Sequence, residues 1–133
     1  MKPLTKEWVK KSDSDFRVMK REFKVTEDPS YEAVCFHAQQ CVEKLVKAFL
    51  VEWDLAFPKT HNIEELIKLT LPIRPEWNVL IKSRAFLSEY ATDSRYPGDS
   101  VYKDEAQDAV NECIRLREII SEALKSTDQL RLN

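Results

Sequence analysis

Only one of the 133 residues is glycine, and that scarcity excludes more than any motif in the chain. Tight hairpins and phosphate-cradling loops need runs of positive φ, which glycine supplies without a steric cost. A Walker loop, a dinucleotide fingerprint and a nucleophile elbow are all missing accordingly. Long apolar runs are missing too. None approaches the roughly 18 residues of a membrane span, and the N-terminus has no apolar signal region, so a soluble, cytoplasmic protein is expected. Nor does one sign of charge dominate. With 21 basic and 23 acidic residues the net charge is -2, so there is no overall basic field to hold nucleic acid non-specifically, although local basic patches remain open. Cys35, Cys41 and Cys113 are odd in number and lie inside helical patterns, which reads as reduced core thiols rather than a disulfide framework. His37 and Cys41 share one helical face, but two ligands do not make a zinc site. No metal and no cofactor are expected.

What is present is helical. Apolar residues make up 43% of the chain, enough to bury one core. A single domain over residues 1–125 is expected, with a frayed tail over 126–133. Trp8, Phe16, Met19 and Phe23 mark a first helix from about Thr5 to Glu22, with Ser12 and Asp15 near the same stripe. Asp28-Pro29 reads as an N-cap followed by proline at the first helical position. The helix it opens runs to about Trp53 on Val34, Ala38, Cys41, Leu45, Ala48 and Phe49. Asn62 with Glu65 forms a capping box for a short helix to about Leu69. Trp77, Leu80, Ile81, Leu87 and Ala91 mark a helix over Glu76–Ser94, and Ala106 to Leu124 a last one of about six turns. The expected fold is all-α: an antiparallel four-helix up-and-down bundle with an additional short helix in the second crossover.

Two stretches carry possible chemistry. On the second helix Gln40, Glu43, Lys44 and Lys47 form one polar stripe. It reads either as a solvated face with Glu43–Lys47 as an i,i+4 pair, or as a set partly turned towards a neighbouring helix. His61, beside the start of the short helix, reads as a cap or an exposed residue, or as a neutral donor or acceptor. The second stretch is the corner Arg95-Tyr96-Pro97-Gly98, which holds the only glycine. A guanidinium fixed beside a rigid turn suits bidentate contact with phosphate. Asp15, if buried, needs a partner, and Arg95 and Lys44 are the candidates.

Taken together, these stretches resemble the HEPN family, the helical domains of higher eukaryotes and prokaryotes found alongside nucleotidyltransferases. The matching residues are Trp8 with Asp15, then Tyr31-Glu32-Ala33-Val34 leading to Gln39-Gln40, Glu43-Lys44 and Lys47-Ala48. They continue with Pro58-Lys59-Thr60-His61-Asn62-Ile63 and Leu66, Arg95-Tyr96-Pro97-Gly98, and Ala106 with Ala109. The resemblance implies a helical bundle that commonly homodimerises. Many members are metal-independent ribonucleases whose signature is an Arg followed, after four to six residues, by a His. Here the Arg is Arg95, and positions 100, 101 and 102 are Ser100, Val101 and Tyr102. The general base is missing, which typically removes about 10²–10⁴-fold of rate. A variant of the signature adds a Tyr that a nucleotidyltransferase can modify with AMP, and Tyr102 stands at that spacing.

The expected function is therefore a non-catalytic, homodimeric nucleotide- or RNA-binding protein. It would work with a separately encoded minimal nucleotidyltransferase in a toxin–antitoxin-like pair. Arg95, Tyr96, Lys44, Lys47 and His61 are the expected ligand contacts, and Tyr102 the candidate modification site. Asp15, Gln40, Glu43, Pro97 and Gly98 take structural or pairing roles. Two alternatives are carried: a metal-independent ribonuclease with an atypical site around Arg95, using His61 or Tyr102, and a purely structural dimerisation or adaptor domain.

Overall fold

The structure, a computed structural model, describes residues 1–81 and 100–132, with side chains as far as Thr127. Its elements in chain order are α1 (Pro3–Phe23), α2 (Tyr31–Glu52), α3 (Ile63–Thr70), a single 3-10 turn (Pro75–Trp77), α4 (Asn78–Ile81) and α5 (Lys103–Leu132). No strand occurs among the described residues. The chain is an all-helical bundle.

α2 is the central helix: α1 packs along one side of it and α5 along another. Its apolar stripe of Val34, Ala38, Cys41, Leu45, Ala48 and Phe49 is buried, as are Ala106, Ala109, Val110, Cys113, Leu116, Ile120 and Leu124 on α5. Phe49 stacks tilted against Trp77 with ring centroids 4.7 Å apart, which seats the 3-10 turn on the core. α1 and α2 run antiparallel. Thr5 Oγ1 donates to Glu52 Oε1 at 2.9 Å, and Ser12 Oγ donates to the Cys41 carbonyl at 2.7 Å. At the far end the Ser30 amide donates to Glu22 Oε2 at 3.3 Å. Arg117 of α5 reaches Asp13 of α1 at 3.3 Å and lies 4.1 Å above the Phe16 ring.

Two boundaries and one cap differ from the sequence reading. The N-cap of α2 is Ser30, whose Oγ accepts from the Ala33 amide at 3.2 Å. Asp28 instead has φ 51° and turns the chain before the helix begins, so Pro29 lies outside it. At Asn62 the box is half formed: Asn62 Oδ1 accepts from the Glu65 amide at 3.0 Å. Glu65 does not reach back; Thr60 Oγ1 takes the Asn62 amide at 3.1 Å and donates to Glu65 Oε2 at 3.1 Å. The third difference is at the C-terminus. Residues 126–132 continue as helix, with Thr127 buried and bonded to the Ala123 carbonyl at 3.0 Å.

The left-handed positions show how the chain manages with so little glycine. Asp28 and Asp54 are the positive-φ residues other than glycine among those described, and Asp tolerates that region better than most residues. At Asp54 (φ 55°) the end of α2 is a Schellman motif. The Leu55 amide bonds the Leu50 carbonyl at 2.8 Å, and the Asp54 amide bonds that of Val51 at 3.1 Å. Asp54 occupies the position glycine usually takes, and its carboxylate pairs with Lys2.

Candidate ligand site

Two buried carboxylates lie along α2: Asp15 of α1 takes both its partners from that helix, and Glu43 of α2 takes two from it and a third, His61, from the connection to α3. Asp15 of α1 is buried. Its Oδ1 accepts from His37 Nδ1 at 2.8 Å, and its Oδ2 accepts from Lys44 Nζ at 2.6 Å. Lys44 is therefore the partner that burial demanded. His37 is the second, and the sequence reading missed it by setting His37 against Cys41 instead. The Cys41 thiol points elsewhere: Ser12 Oγ lies 3.3 Å from it, and it hydrogen-bonds Cys113. That bond, with burial, pushes the Cys113 thiol well above its usual range.

The second carboxylate is Glu43, with only 3% of its side chain exposed. Its Oε2 accepts from Lys47 Nζ at 3.1 Å. Its Oε1 accepts from Gln39 Nε2 at 2.9 Å and from His61 Nδ1 at 3.0 Å. Gln39 also donates to the His61 carbonyl at 3.2 Å, and Gln40 Nε2 donates to Gln39 Oε1 at 2.8 Å. Each amide is thereby oriented by the next. The Lys47 ammonium lies 5.6 Å from the Trp8 ring centroid and 5.9 Å from that of Phe57, within cation–π range.

This overturns the solvated-face reading of the stripe. The i,i+4 pair of Glu43 and Lys47 exists, but both residues are buried. Trp8 of α1 and Phe57 of the connection to α3 close over it. Lys44 and Lys47 are both neutralised by internal carboxylates. His61 differs from them: 61% of its side chain is exposed while Nδ1 is held by Glu43. Tyr102 is also exposed, at 67%, and its carbonyl accepts the Ala106 amide at the start of α5. The corner Arg95, Tyr96, Pro97 and Gly98 lies outside the described residues. Among those that are described, no group of three or more His, Cys, Asp or Glu is placed to hold a metal ion, and no helix is long and apolar enough to cross a membrane.

The arrangement of helices has a counterpart. The crystal structure of ST0689, an archaeal HEPN homologue, is similar over 92% of this chain and 98% of its own, with a TM-score of 0.69 and 26% identity. Comparison with curated proteins gives no match. The model of the HEPN domain matches residues 5–124, nearly the whole chain, and the protein belongs to the HEPN domain family.

Proposed function

We propose that this chain is a non-catalytic HEPN protein, a homodimer that binds a nucleotide or RNA. In this reading it acts with a separately encoded minimal nucleotidyltransferase, as in a toxin–antitoxin pair. The observation that carries the proposal is Arg95 with Ser100, Val101 and Tyr102 at the positions where the ribonuclease His would stand. An arginine without its base retains contact with phosphate and loses the proton acceptor. Family membership supports a nucleotide- or RNA-related role. Because Lys44 and Lys47 already hold Asp15 and Glu43, the main phosphate contact falls to Arg95, with Tyr96 offering a ring for base stacking. Tyr102, exposed at the head of α5, is the acceptor on which the partner enzyme would place AMP.

The test is ligand-dependent melting combined with an RNA cleavage assay in EDTA. ATP, GTP, AMP or a short RNA should raise the melting temperature, Arg95→Ala should abolish the rise, and RNA should stay intact. No rise with any ligand sinks the binding half. Cleavage lost in Arg95→Ala sinks the non-catalytic half and favours the ribonuclease reading.

A further inference from the structure

Between Lys6 and Lys24, α1 and its C-cap hold seven cations and four carboxylates, and the fold makes that ratio more one-sided. Three of the carboxylates are committed to groups off the helix. Asp13 takes Arg117 of α5, Asp15 takes His37 and Lys44, and Glu22 accepts the Ser30 amide. Glu7 is the one exposed carboxylate of the four, whereas all seven cations are exposed. Helical spacing gathers five of them. Lys6, Lys10, Arg17, Arg21 and Lys24 stand 4, 7, 4 and 3 residues apart, which at about 100° per residue keeps them within about 60° of one another round the helix. Ser14, exposed between Lys10 and Arg17, adds a hydroxyl where the row has its gap. The stripe is about 27 Å long, and none of its five cations has a carboxylate partner among the described residues. On α5, Lys103 to Lys125 holds six carboxylates and four cations. The net charge of -2 therefore hides two helices of opposite sign.

A straight row of unpaired cations is complementary to a polyanion. Its surroundings decide which one. A protein partner meets aromatic and apolar residues at the centre of a contact, with lysine depleted there. A helix lying on a lipid surface needs an exposed apolar face. α1 offers neither, because Trp8, Phe16, Met19 and Phe23 are buried or half-buried against the bundle. Leu4 is the one large apolar side chain exposed on this helix, and it lies off the stripe. A strand of phosphates needs only the charges and the length. We infer that the outer face of α1 is a track for the phosphate backbone of an RNA strand, held by Lys6, Lys10, Arg17, Arg21 and Lys24 without regard to base. This inference rests on the RNA-binding form of the proposed function and adds to it a surface far from Arg95 in the sequence.

The test reads the salt dependence of RNA binding. A labelled single-stranded oligouridylate is titrated with the full chain at several KCl concentrations, and anisotropy gives the slope of log affinity against log salt. Each phosphate contact on a single strand contributes about 0.7 to that slope. Lys10→Gln, Arg17→Gln and Arg21→Gln together should therefore make it shallower by about 2. The fold should survive, since glutamine is a good helix former and the face is exposed. Lys68→Gln, Arg115→Gln and Lys125→Gln remove the same charge from exposed positions on α3 and α5, and should leave the slope as it is. An unchanged slope in the α1 variant, or an equal change in the α3 and α5 variant, overturns the track and leaves the proposed function standing. A wild type that ignores RNA while ATP, GTP or AMP raises its melting temperature has the same meaning. Failure with RNA and with all three nucleotides overturns both. A chain that ignores RNA but sediments with phosphatidylserine vesicles through the same three cations overturns the RNA track in favour of a lipid surface.

Discussion

Replacing Lys47 with methionine separates the electrostatics of the Glu43 cluster from its packing. Methionine keeps most of the stem between Trp8 and Phe57 but removes the ammonium 3.1 Å from Glu43 Oε2. Breaking a buried ion pair from one side costs about 3–5 kcal/mol, because the remaining charge stays buried. Glu43 keeps two hydrogen bonds on Oε1, which places the expected loss near the lower end, at about 3 kcal/mol. Losing the cation–π contacts adds about 0.5–1 kcal/mol. Replacing both members with apolar residues, Lys47→Met with Glu43→Leu, leaves no unpaired charge at this place in the core. The double variant should then be more stable than Lys47→Met alone, and within about 2 kcal/mol of wild type. Urea unfolding followed by far-UV circular dichroism reads all of these differences if the slopes stay constant. A Lys47→Met loss below about 1 kcal/mol would refute the reasoning. So would a double variant whose loss equals the sum of the two single losses.

Two further outcomes follow from the same interior. Asp54 holds a left-handed residue that costs about 1–2 kcal/mol for most side chains and little for glycine. In urea titrations Asp54→Ala should destabilise by about 1 kcal/mol more than Asp54→Gly, since both give up the carboxylate that pairs with Lys2 and only glycine suits the left-handed position; equal losses in the two variants would contradict the Schellman assignment. Cys113, with its thiol raised by Cys41 and by burial, keeps its proton in the folded state while the unfolded thiol releases it near the reference value of 9.0. The folded state therefore binds more protons above that pH, and this contribution to stability is lost as pH rises. At about pH 9 folded Cys113 should therefore resist iodoacetamide while the urea-unfolded chain is alkylated, and equal labelling of the two states would show that the thiol is not held protonated.

The helices are legible in the sequence because their information is local. Apolar spacing gives α2 and α5, and Asn62 with Glu65 marks the start of α3. The start of α2 is less legible. Asp28, Pro29 and Ser30 all favour a helix entrance, and only the backbone reveals that Asp28 has turned left-handed. The Glu43 stripe misleads for a different reason. Charged residues at i and i+4 on a helix are ordinarily solvated, and nothing within α2 announces Trp8 or Phe57. Covering comes from segments far away in the chain, so a pattern confined to one helix cannot register it. His37 was missed in the same manner, since its carboxylate stands 22 residues earlier on another helix. Of the candidate site, the residue types are legible and the partnerships are not.

Those partnerships explain why so polar a helix can sit at the centre of the bundle. His37 and Lys44 are seven residues apart on α2, about two turns, and Asp15 bonds both with separate oxygens. Sliding α1 along α2 by one turn moves that carboxylate about 5.4 Å, beyond reach of at least one cation. The same slip parts Thr5 from Glu52 and Ser12 from the Cys41 carbonyl. An apolar seam tolerates such slips at modest cost, since one branched side chain replaces another. A buried carboxylate that loses its partners costs several kcal/mol. The buried charges add little net stability, yet together they leave the two helices one favourable register. That register brings Trp8 over Lys47, and Lys47 in turn fixes Glu43 behind His61. The exposed imidazole is thus oriented by the pairing of α1 with α2, through residues that are buried or half-buried.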